Sequence, residues 1–269
     1  MTSKSGALLL CLGIMAIWPS NPAFGDESGL EAVSSVSTGG SVPTVVSSHL
    51  NSSGPVLNSP EIGISNGAGS ASASGSVQFG SISGVVSATG NAGPIANGGF
   101  AVFDGIWDDT LTVTSSTLAA GTTVDLLFTM AYNFSTTCSG ANGSPFAEAE
   151  FETGSQDVPL QFVTASTSDP SCNQKTAGTQ TLNVVTFVGA TTEVLGFSSL
   201  FAAAGEGSSG QADGPVDFFI DSETAGASYT TASGTNYSTP ISTVPEPSTF
   251  GLFGLGLLGL IALRRKAVV

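Results

Sequence analysis

Alternation with a period of two residues is the feature that most constrains what this chain can fold into. Between positions 124 and 132, Val124, Leu126, Phe128, Met130 and Tyr132 occupy every second place, with Asp125, Thr129 and Ala131 among the residues between them. Side chains alternate across a strand, so this run buries one face of a sheet, whereas an apolar stripe repeating every 3.6 residues would have meant a helix. Leu111-Thr112-Val113 and the runs 160–163, 182–188 and 216–220 read as further strands, separated by clusters of Gly, Asn, Asp and Pro. About ten short strands at regular spacing predict an all-β fold, a single β-sandwich of jelly-roll kind.

The surface of such a sandwich must be wetted by uncharged groups. Charged residues make up only 9% of the chain, against roughly 25% in ordinary soluble domains. Ser, Thr, Asn and Gly take their place, a pattern compatible with an exported β-protein and with attached sugars. The five Lys and Arg face twenty Asp and Glu, a balance that repels phosphate backbones and excludes nucleic acid as a partner. Divalent cations, neutral glycans and calcium-bridged acidic polysaccharides remain compatible with it.

Three boundaries divide the chain. Lys4 precedes the apolar run 7–17, and Ala23-Phe24-Gly25 places small residues at the two positions a signal peptidase reads. Residues 1–25 are therefore expected to be a Sec-type signal peptide, cleaved before Asp26 and too short in its apolar part to span a bilayer. Residues 26–75, rich in Ser, Gly, Asn and Pro with sparse valines, read as a linker or loosely ordered segment. The sandwich is expected over 76–243.

The last segment, 244–269, reads as one unit. Val244-Pro245-Glu246-Pro247-Ser248-Thr249 runs into the apolar stretch 250–263, and Arg264-Arg265-Lys266 closes it. As a helix that stretch rises about 21 Å against a hydrocarbon core of roughly 30 Å; Ser248 and Thr249 extend it at one end, and the arginines snorkel at the other. Basic residues favour the cytoplasmic side, which puts the Pro-Glu-Pro motif at the outer face. The two prolines hold the motif extended, the form proteases and transpeptidases grip. Gly251, Gly254, Gly256 and Gly259 spread over a wide arc and form no single dimer face; they are expected to keep the helix loose.

This arrangement resembles the PEP-CTERM sorting domain of Gram-negative bacteria, whose members are processed by an exosortase. The resemblance covers about a tenth of the chain. It implies that Pro245, Glu246 and Pro247 are the recognition residues, that Arg264, Arg265 and Lys266 are the membrane stop, and that the protein passes from the inner membrane to the cell surface or an extracellular polysaccharide matrix. The segment 221–226, with Tyr229 and the run 232–237, resembles the end of the β-domain in proteins bearing such a tail. It implies a last strand that leads directly to the motif.

Cys11 falls within the signal, leaving Cys138 and Cys172 in a chain bound for an oxidising compartment, where a disulfide between them is expected. Ala147, Ala149 and Phe151 alternate with Glu148, Glu150 and Glu152. These three carboxylates share one face at about 7 Å intervals, a spacing near that of a glycosidase pair but equally that of any solvated strand face. Asp104, Asp108 and Asp109, and likewise Asp213, Asp217 and Asp221, read as turn and strand-edge acids, with calcium at either set as a hypothesis. Phe100, Phe103 and Trp107 read as core more readily than as a sugar platform.

His49, the single histidine, falls in the expected linker, which leaves no catalytic triad and too few ligands for a usual zinc site. No cofactor is implied. Two functions remain: a non-enzymatic structural or adhesive domain delivered by its tail, and a carbohydrate-active domain, either lectin-like or a carboxylate-dependent hydrolase or lyase.

Overall fold

The computed structural model describes residues 28–39, 44–91, 98–154, 160–167 and 172–238. The expected signal peptide, the sorting motif Pro245-Glu246-Pro247, the apolar stretch and the basic stop lie outside these residues. Thirteen strands are present among the described residues: β1 (Gly29–Thr38), β2 (Thr44–Ser52), β3 (Val56–Asn66), β4 (Gly69–Gln78), β5 (Ser81–Gly90), β6 (Gly99–Ser115), β7 (Thr123–Ser139), β8 (Gly143–Gly154), β9 (Gln161–Ser166), β10 (Gln174–Phe187), β11 (Thr191–Ala204), β12 (Ser208–Ser222) and β13 (Ala227–Thr231). Several are long: β6 and β7 each run 17 residues. The alternation in β7 holds, with Val124, Leu126, Phe128 and Met130 no more than 1% exposed.

Two antiparallel sheets stack face to face. One has the order β2-β1-β6-β11-β8-β9 with β13 added to β6, and the other has the order β10-β7-β12-β5-β4-β3. From β5 to β12 the pairs are nested: β5 with β12, β6 with β11, β7 with β10 and β8 with β9. A long hairpin rolled up so that successive pairs fall in alternate sheets gives this pattern, which is jelly-roll connectivity. Strands β1 to β4 widen both sheets at one flank.

Here the expectation of a linker over 26–75 is corrected. Residues 29–38 and 44–78 contribute four strands paired into the two sheets, so the fold begins about 47 residues before the expected boundary at 76. The inward positions of β1 are Leu30, Ala32, Ser34, Val36 and Thr38, and those of β4 include Ala71, Ala73 and Val77. The alternation is present, but its inner residues are small and partly polar, and hydrophobicity alone misses it. A buried hydrogen bond between Ser34 Oγ and Ser59 Oγ, 2.7 Å across the two sheets, satisfies the hydroxyls that such a pattern brings inside.

Small residues are needed there because the facing strand is aromatic. Phe103 of β6 is fully buried, and its ring lies where a side chain on Gly75 or Gly84 would have to be: a Cβ on either glycine would come within 2.2 Å and 2.4 Å of ring carbons. Trp107 covers Gly196 of β11 in the same way, at 2.2 Å from a Cβ built there. Around Trp107 the rings of Phe151, Phe218 and Tyr237 pack at centroid distances of 5.9, 5.4 and 5.1 Å. These contacts join β6, β8 and β12 across the interior.

The expected disulfide is present. Cys138 and Cys172 bridge the β7–β10 ladder two residues beyond the Gln174–Thr136 pair, with Cα atoms 4.9 Å apart. The chain between them makes the excursion through β8 and β9 in the other sheet, so the bond closes a loop of sequence separation 34, a constraint of roughly 3–4 kcal/mol on the unfolded chain.

Gly75→Ala is expected to lower stability by about 1–3 kcal/mol, the usual cost of overpacking, in chemical denaturation. Pairing it with Phe103→Leu, which clears the ring, is expected to recover part of that loss.

Candidate functional site

The domain's final turn is bolted to the core directly before the chain leaves toward the motif. Asp109 of β6 is 2% exposed and points inward, the face opposite to its neighbour Asp108. Its carboxylate accepts hydrogen bonds from Thr110 N (2.8 Å), Ser233 N (3.0 Å), Ser233 Oγ and Tyr237 Oη (2.8 Å). Among the described residues no basic side chain balances it; a set of convergent N–H and O–H donors does, which is the condition for tolerating a buried carboxylate. The Tyr237 ring stacks on Trp107 at an interplanar angle of 19°. Burial and the Asp109 charge raise the Tyr237 hydroxyl far above its ordinary range, so it stays a donor. Ile220 N donates to Tyr237 O (3.1 Å) and Tyr229 Oη to Ile220 O (2.8 Å), closing the segment onto β12.

Asp104, Asp108 and Asp109 are therefore mid-strand residues of β6, not turn acids, and the third lies on the other face from the first two. Asp213 and Asp217 likewise sit within β12. Among the described residues no group of three or more His, Cys, Asp and Glu is placed to hold a metal ion.

The outer face of the first sheet gathers a second set of acids: Glu31, Asp104, Asp108, Glu148, Glu150 and Glu152. Strand register sets them in rows. Val33, Asp104, Ser199 and Glu148 form one row across β1, β6, β11 and β8; Glu31, Ile106, Phe197 and Glu150 form the next; Asp108, Leu195, Glu152 and Phe162 form a third that reaches β9. Ser199 Oγ donates to Asp104 Oδ1 at 2.6 Å, and His49 Nε2 lies 2.7 Å from Glu31 Oε1. Lys175 is the one Lys or Arg among the described residues, and it belongs to the other sheet.

The glutamate row was expected on a solvated face, and the structure qualifies this: Glu148, Glu150 and Glu152 do point outward from β8, but each is only partly exposed. Burial raises the affinity of all three for a proton, and Asp104 and Glu150 add to the effect at Glu148. Asp104 is pushed up to about 6, mainly by burial, with the Ser199 hydrogen bond opposing and Glu31 reinforcing. Asp108 also rises to about 6, through burial and then the charge of Asp109.

Sequence reasoning did not single out Glu31, Ile106, Leu195, Phe197, Phe162 or Ser199. Their positions follow from strand pairing between distant segments, although the alternation within each strand was there to be read. Phe103 and Trp107 are core, as expected; Phe100 instead faces outward and meets Phe201 edge to face, with centroids 5.0 Å apart. The outer face of the second sheet differs, with hydroxyl ladders such as Ser70–Thr89 (2.7 Å), Ser72–Ser87 (2.8 Å) and Ser139–Ser209 (2.9 Å).

The acidic face has a consequence for stability. Asp104 and Asp108 hold protons more tightly folded than unfolded, so between about pH 6 and the ordinary aspartate range near pH 4 the native state binds more protons. Stability is thus expected to rise as pH falls through 6 toward 4 and to be flat above it. The melting temperature measured across this range checks it, and Asp104→Asn is expected to flatten the slope and raise the neutral-pH value by a few degrees.

Comparison with curated proteins gives no match. The PEP-CTERM protein-sorting motif matches residues 243–266, a few residues beyond the Asp109–Tyr237 anchor. The match implies exosortase-dependent sorting of an exported protein: the chain carries a PEP-CTERM protein-sorting motif over residues 243–266.

Proposed function

We propose that the jelly-roll domain is a structural or adhesive element that the tail delivers to the cell surface or to an extracellular polysaccharide matrix. Residues 1–25 direct export through the Sec machinery and are removed by signal peptidase. The stretch 250–263 holds the protein in the inner membrane, with Arg264, Arg265 and Lys266 on the cytoplasmic side. Exosortase then acts at Pro245-Glu246-Pro247. The observation that carries this reading is the sorting motif over 243–266. It is supported by the disulfide, which suits an oxidising compartment, and by a surface wetted largely by hydroxyls in place of charges.

The Asp109 anchor suits the same role. A tail that is gripped outside the membrane transmits its handling to the residues before it, and here Ser233 and Tyr237 are fixed by three hydrogen bonds to Asp109 and a ring stack on Trp107. The folded body is thereby kept intact up to Tyr237 while the chain beyond it is processed.

A second reading, a carbohydrate-active domain, is favoured by one feature: carboxylates beside apolar rings on the outer face of the first sheet. Asp104 and Glu148 flank Ser199 on adjacent strands, so their backbones lie about 10 Å apart, two strand spacings. Phe162, 56% exposed, stands directly across from Glu152 as a surface for a sugar ring.

Cell fractionation separates the readings. Glu246→Ala is expected to leave the protein in the membrane fraction while the wild type reaches the surface or the matrix; equal distribution of the two would contradict exosortase sorting. Binding or cleavage of polysaccharide that is lost in the pair Asp104→Asn and Glu148→Gln would favour the second reading over a purely structural domain.

A further inference from the structure

Among the described residues each sheet ends in strands paired on one side only: β2 and β3 at one flank, β9 and β10 at the other. Three of these edges are short or interrupted. β3 carries Pro60 and Glu61 at a register shift between Ser59 and Ile62. β9 has six residues, and β2 has nine, with His49 held by Glu31. Prolines, irregularities, charges and shortness are the devices that stop one sheet edge from pairing with another.

β10 has none of them beyond its first turn of sequence. It runs 14 residues in continuous register with β7. After Lys175 it contains no charged residue and no proline up to Phe187. From Ala177 to Thr181 every residue is exposed, so both faces of the ribbon stand clear of the other sheet. Val185 and Phe187 are 60% and 37% exposed. The Cys138–Cys172 bond fastens the start of this strand to β7, so the edge is presented as a rigid template.

We propose that β10 pairs antiparallel with β10 of a second copy of this chain, joining two six-stranded sheets into one across a two-fold axis at Thr181. A backbone ladder rotated about such an axis is complementary to itself. Charge favours this edge: in a body with many acids and few bases, β2, β9 and β10 carry no carboxylate, and of the four edges β10 alone carries a lysine, Lys175. Antiparallel pairing also sets Lys175 of one copy against the Val185–Phe187 end of the other. Asp125 lies beside Val185 in the β7–β10 register, adding a second acid to Asp213, whose charge already acts with Lys175 within its own chain, while the alkyl stem covers the two exposed apolar side chains.

The test uses the full chain in detergent, by sedimentation velocity over a range of concentration, with hydrogen exchange of the β10 amides on the same samples. The wild type is expected to self-associate, and protection of 175–187 is expected to grow with concentration while that of β3 does not. Thr181→Lys, which opposes two like charges at the axis, is expected to raise the dissociation constant at least tenfold; Ser48→Lys on β2 is expected to leave it unchanged. A wild-type chain that stays monomeric, or association that persists in Thr181→Lys and shows no change in β10 exchange, would overturn the proposal. The exchange measurement needs no variant, so misfolding of Thr181→Lys does not blunt it.

Discussion

The aromatic side chains of β6 set the terms for the rest of the sandwich. Phe103 and Trp107 point inward two turns of the pleat apart, and each fills space that glycine leaves free: Gly75 and Gly84 in the facing sheet for Phe103, Gly196 in the neighbouring strand for Trp107. Interiors pack to near-crystalline density, so a large ring on one layer demands a small residue on the next. The glycine content of this chain is in part a consequence of that demand and not a sign of loose structure. β6 is also the strand that meets β1, β11 and β13, so its fit positions most of the first sheet.

From the same strand the polar organisation follows. Asp109, two residues after Trp107, points inward with it and gathers the donors of the final turn, while Asp104 and Asp108 point outward into the acidic face. Alternation thus sends neighbouring carboxylates to opposite fates: one becomes a buried acceptor that fixes the end of the domain, and the others share a half-buried surface with Ile106, Leu195 and Phe197. The second sheet solves its surface differently, through paired hydroxyls that need no charge.

Much of this was legible in the chain. The alternation in β7 and β8 identified strands and the faces of Glu148, Glu150 and Glu152, and oxidising export identified the Cys138–Cys172 bond. What escaped was whatever depends on a partner strand far away in sequence. The segment 29–78 passed for a linker because its inward residues are Ala, Ser, Gly and Val, a choice that makes sense only once Phe103 is placed opposite them. Asp109 could not be told from Asp108 by composition, since one step along a strand reverses the face. The rows that bring Asp104 beside Ser199 and Glu148 join β6, β11 and β8, and no local pattern predicts that register.

The domain and the tail thus divide the work: a rolled ribbon closed at Tyr237, followed after a short connection by a motif for sorting. Intact mass of the protein recovered outside its host cells tests this division most directly. The expected species begins at Asp26, retains the jelly roll through Tyr237 and lacks the apolar stretch 250–263, with any attached sugar adding to the sequence mass. A recovered species that still carries residues 250–269 would contradict it.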